Sequence, residues 1–82
     1  LAEVIDDDRE TRKYLALHRS APTGTIMQIR NEMNDQIVFV RVVGSIQDTG
    51  DNQKILVKIS KKAFDRLGAV DNRFPVELSY VP

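Results

Sequence analysis

The chain carries one histidine, His18, and no cysteine. Histidine ordinarily titrates near neutral pH, so His18 is the first candidate for proton transfer. The absence of thiols excludes cysteine nucleophiles, disulfides and Cys-ligated zinc. With a single imidazole, a catalytic zinc would need carboxylates for most of its ligands, an uncommon donor set. The second concentration of chemistry is Asp48-Thr49-Gly50-Asp51-Asn52. Asp48 or Asp51 could serve as an acid beside His18, although loop carboxylates commonly bond their own backbone. Asp-Thr-Gly is also the aspartic-protease triplet, which pairs two copies so that two carboxylates share a proton. Here Asp51-Asn52 follows in place of a small apolar residue, and the extra carboxylate would disturb that sharing. Asp48, Asp51 and Asn52 lack the spacing of an EF-hand loop. There is no glycine-rich phosphate loop and no hydrolase elbow. No metal and no cofactor is therefore expected.

These residues must be held by short elements. Leu1–Ile5 and Tyr14–Leu17 are apolar segments separated by the charge run Asp6–Arg12, read as a solvated loop. Ala21-Pro22-Thr23-Gly24 is a turn, because Pro fixes φ and Gly accepts positive φ. Thr25–Arg30 reads as a strand, and Asn31–Asp35 suits a hairpin turn. Ile37–Val43 is the most β-branched stretch and is apolar on both parities except at Arg41, which predicts a central strand covered on both faces. Gly44–Gln53 is a polar loop, and Lys54–Ile59 is another strand.

Ser60–Leu67 is the one convincing helix. Ser60 can cap its amides, Ala63, Phe64 and Leu67 share a face, and Gly68 can end it in the left-handed conformation. Phe74, Val76, Leu78 and Tyr80 then alternate with Pro75, Glu77 and Ser79, as in a half-buried strand. The pattern is mainly β: about six strands and one short helix, in a single domain spanning 1–82. Closing such a sheet into a barrel would remove its unprotected edges. Phe39, Phe64 and Phe74 are expected in the core, with Tyr14 and Tyr80 nearer a rim.

Twelve Lys and Arg balance twelve Asp and Glu. Zero net charge argues against a general nucleic-acid binder and against a polybasic membrane anchor. At 41% hydrophobic and 29% charged, the chain has the composition of a folded domain. No apolar run approaches the ~20 residues needed to span a bilayer, so direct membrane insertion is not expected. Leu1 is an unusual start, consistent with a processed form or an excised domain.

Ala16-Leu17-His18-Arg19-Ser20-Ala21-Pro22-Thr23-Gly24-Thr25 resembles the A-x-H-R-T-x-P-x-G-T segment of rare lipoprotein A-like domains, relatives of the expansins. Arg30-Asn31, Val38–Val42, Ile55–Ser60, Ala63, Leu67-Gly68 and Val76-Glu77-Leu78 match that family's later segments in order. Asp48–Asn52 and Arg73–Leu78 resemble a subgroup found at the C-terminus of proteins with LysM peptidoglycan-binding repeats. The resemblance implies a six-stranded double-psi β-barrel with one short helix. It also implies a periplasmic or cell-envelope location, peptidoglycan glycan strands as partner, and fusion to N-terminal LysM repeats.

Enzymatic members of that family resemble lytic transglycosylases, whose chemistry needs a proton donor and a second group at the sugar. His18 stands at the first of those positions. The second falls on Gly44, flanked by Val43 and Ser45, and a further family acid falls on Lys58. The resemblance therefore implies a module that has lost the catalytic Asp. A diverged enzyme using His18 with Asp48 or Asp51, and a purely structural or protein-interaction module, stand as alternatives. The expected ligand groove is His18, Arg19, Arg41, Ser45 and Asp48. Arg19 and Arg41 could instead be ion-paired structural residues.

Overall fold

The computed structural model describes residues 1–5, 13–46 and 55–81. Among them the chain forms seven strands and one short helix: β1 (Ala2–Val4), β2 (Leu15–His18), β3 (Ile26–Asn31), β4 (Ile37–Gly44), β5 (Val57–Ile59), α1 (Lys61–Arg66), β6 (Arg73–Phe74) and β7 (Val76–Tyr80). The seventh strand arises where the sequence suggested one final strand. Pro75 has no N–H to donate, and the ladder breaks there into β6 and β7.

One mixed sheet runs in the order β6-β1-β5-β2-β4-β3-β7. β1 pairs with β5, and β2 with β4, in parallel; the other pairings are antiparallel. The ladder is not closed on itself, since β6 and β7 are its outermost strands. Those two strands are separated in the chain only by Pro75, so the chain itself links the two edges of the sheet at that residue. The Pro75 carbonyl accepts the Glu32 amide at 3.1 Å, which ties this junction to the β3–β4 turn.

The inner face is apolar because the strands alternate. Ala16, Met27, Ile29, Val38, Val40, Val42, Val57 and Ile59 point inward, with Ala63 of the helix, its C-cap Leu67, and Phe74 of β6. β4 departs from its expected double coverage. Val38, Val40 and Val42 are buried, whereas Ile37, Phe39, Arg41 and Val43 are exposed. Phe39, expected in the core, is 60% exposed. No element covers the outer face of β4 among the described residues, so period-two alternation decides its burial. Phe64 packs against the core, and its ring meets Phe74 edge-on at 5.8 Å. Tyr14 is exposed and Tyr80 is half-buried.

Three polar residues fasten the helix. Ser60 Oγ accepts the Ala63 amide at its N-terminus and the Leu15 amide of β2, and donates to the Lys13 carbonyl at 2.9 Å. At the other end, the side-chain amides of Asn31 and Asn34 both donate to the Leu67 carbonyl, at 3.0 and 2.9 Å. Gly68 follows with φ +66°, the left-handed stop expected of glycine.

Candidate functional site

The C-terminal ends of the parallel strands β2 and β4 lie side by side. Leu17 is in register with Gly44, so His18-Arg19 and Ser45 leave the sheet at the same end. This brings three of the expected groove residues together. The register shifts between Ala16 and Leu17, a bulge where the two strands part.

His18 shares the inner face with Ala16 and is 7% exposed. Its Nδ1 accepts two backbone amides, Ser20 at 3.1 Å and Ala21 at 2.9 Å. This is the geometry an Asx-turn achieves with a carboxamide oxygen, formed here by an imidazole. A nitrogen that accepts two N–H donors carries no proton, so the neutral ring holds its proton on Nε2. Nε2 has no partner among the described residues and is not sealed from solvent. The ring also packs edge-on to Tyr80, with centroids 5.4 Å apart. Desolvation lowers the His18 pKa from its ordinary 6.5, and no described carboxylate acts against it.

Arg19 donates from Nε to the Ile55 carbonyl at 3.0 Å, joining the turn after β2 to the segment before β5. Ser45 is exposed. Arg41 does not join this end. It lies on the outer face of β4, in register with Leu15 of β2 and Ile26 of β3, while His18 faces inward. Asp48 and Asp51 lie outside the described residues.

Gly44 carries no acid, and the geometry shows where one would emerge. A Cβ built at position 44 meets Leu17 Cδ2 at 3.1 Å. Leu17 alternates with the inward-facing Ala16 and His18, so that side chain would leave on the opposite face from the imidazole. Lys58, at the other family-acid position, approaches Glu3 at 4.0 Å, and Glu3 in turn binds Arg73 at 2.7 Å. No group of three or more potential metal ligands occurs among the described residues. No described helix is long and apolar enough to cross a membrane.

One surface feature was missed from the sequence. Tyr14, Leu15, Ile26, Phe39, Arg41 and Val43 line an open groove of about 560 Å³ on the outer face of β2, β4 and β3. The signal was present: Arg41 shares its parity with Ile37, Phe39 and Val43, and a charge marks the solvent side of a strand.

Comparison with known proteins matches the chain to no family model and to no curated protein.

Proposed function

We propose that this chain is a non-catalytic module of a cell-envelope protein, associated with peptidoglycan and related to the rare lipoprotein A-like domains. The observation that carries the non-catalytic part is the double acceptance by His18 Nδ1. Placing a proton on that nitrogen would turn it into a donor facing two N–H donors and break the turn at 19–21. Nε2 alone could exchange a proton, and it has no described carboxylate to work with. Glycosidic cleavage needs two cooperating groups, and the positions of the resembled pair hold one.

The double-psi barrel reading draws support from the topology. Two parallel pairs, β1 with β5 and β2 with β4, interleave because β5 inserts between β1 and β2. The outermost strands β6 and β7 are also consecutive in the chain, separated only by Pro75. The peptidoglycan part rests on the His18–Thr25 resemblance, with Arg19, Ser45 and His18 Nε2 as the polar groups facing the ligand.

The test incubates purified peptidoglycan strands with the chain, then separates pellet from supernatant and analyses released muropeptides. The proposal expects co-sedimentation and no anhydro-muropeptides. Anhydro products that vanish in His18→Asn, which keeps an oxygen for the two amides, would overturn the non-catalytic reading. Failure to co-sediment would remove the glycan partner.

A further inference from the structure

The outer-face groove is separate from the His18 end of the sheet and has its own chemistry. Its lining is aliphatic and aromatic apart from two cations, Lys13 and, on β4, Arg41. Phe39 is 60% exposed and Ile26 52%. Exposed apolar side chains of this size, grouped on one sheet face, mark interaction surfaces.

The charge arrangement narrows the occupant. On the same face, Arg30 is matched by this chain itself: it binds Asp35 at 2.6 Å and Glu77, its cross-strand neighbour, at 2.9 Å. Arg41 also points outward, on the neighbouring strand, yet its cross-strand neighbours are Leu15 and Ile26. Among the described residues no carboxylate pairs with it. A guanidinium flanked by apolar cross-strand neighbours, in a groove that also holds Lys13, is suited to a carboxylate delivered by a partner, and Arg with aromatic residues is the composition enriched at interface centres.

We propose that this groove docks a segment of another protein that presents apolar side chains around one carboxylate, with Arg41 taking the carboxylate and Phe39 and Ile26 the apolar side chains. A second copy of this chain fits less well. A two-fold contact would set the two groove centres together, each bringing Arg41, while the nearby Asp35 and Glu77 are already engaged by Arg30. A saccharide fits less well too, because its hydroxyls would lie unpaired against Leu15, Ile26 and Val43. The inference does not depend on the peptidoglycan assignment.

A displayed library of random peptides, selected on the folded chain, supplies the probe. The expected binders combine two or more apolar residues with an Asp or Glu. Amide and side-chain NMR shifts on adding a synthetic binder should cluster at Tyr14, Ile26, Phe39, Arg41 and Val43. Arg41→Glu should weaken that peptide at least ~10-fold, about 1.4 kcal/mol, and replacing the peptide acid by Lys should recover binding to the Arg41→Glu chain. Phe39→Ser should weaken both peptides. These side chains are exposed, and an unchanged thermal midpoint confirms folding of each variant. No enriched binder, binders without an acid, or shifts centred elsewhere would overturn the proposal. So would a dimer in sedimentation equilibrium that Phe39→Ser dissociates, or glycan fragments shifting the same residues.

Discussion

Replacing His18 by Phe and by Asn separates two accounts of a buried imidazole. If His18 serves chiefly to fill space, Phe is the better substitute, because it keeps a ring against Tyr80. If it serves chiefly as an acceptor, Asn is the better one, because its Oδ1 can receive the amides of residues two and three positions on. His18→Phe orphans two amides now bonded at 3.1 and 2.9 Å. A buried unsatisfied donor costs about 1–3 kcal/mol. Ala21 is buried, whereas Ser20 is exposed and its amide can turn to water more readily. Together these give a loss of about 2–4 kcal/mol. His18→Asn retains the acceptor and forfeits the edge-on contact at 5.4 Å, about 0.5–1.5 kcal/mol plus some packing. Urea unfolding followed by circular dichroism should rank wild type above Asn, and Asn above Phe.

The pH dependence of the same experiment has a definite sign. Burial lowers the folded-state pKa of His18 from 6.5, so the unfolded chain takes up the proton first. Stability from this group is complete above about pH 6.5 and falls as the pH drops below it, by at most about 1.4 kcal/mol per pH unit. The fall levels off once the pH passes below the folded-state value. The gap between wild type and His18→Asn should therefore narrow on acidification. A Phe variant as stable as the Asn variant, or a gap that widens below pH 6.5, would refute the acceptor argument.

Gly44→Asp should not create glycan-cleaving activity, because the new side chain emerges beside Leu17 and away from the imidazole; muropeptide analysis reads the outcome directly. Asn31→Ala should lower unfolding stability by about 2–4 kcal/mol, since Asn31 is buried, donates to the Leu67 carbonyl and accepts the Met33 amide. Asn34→Ala should cost less in the same denaturation assay, because its residue is exposed and Asn31 still serves that carbonyl. Gly68→Ala should cost about 1–2 kcal/mol from its left-handed φ alone, and the Cβ would also press on Asn34 Nδ2 at 3.0 Å. Thermal melts of the Gly68 variant check this.

The helix was legible because its signals are local. Ser60 before Lys61, apolar residues at helical spacing and Gly68 after Leu67 specify start, face and stop without reference to the rest of the chain. The β3–β4 hairpin was legible for the same reason. Ile37–Val43 reads as covered on both faces only if every aliphatic residue in it is buried, whereas the strand alternates. Burial of Phe39 depends on whether another layer lies over β4, and residue types alone do not carry that fact. The seventh strand was hidden because one alternating run serves two different partners on either side of Pro75.

The sequence alone settled the local matters: absent thiols, one imidazole, balanced charge, a β-rich pattern and a capped helix. These follow from residue identity and from spacing over a few positions. The fold decided what those residues face. It turned His18 inward to receive two amides, turned Arg41 outward between Leu15 and Ile26, and placed any side chain at 44 on the wrong side of the sheet for the imidazole. Register between strands distant in the chain, with a bulge between Ala16 and Leu17, determines each of those directions. In a period-two element a one-residue shift exchanges inside for outside.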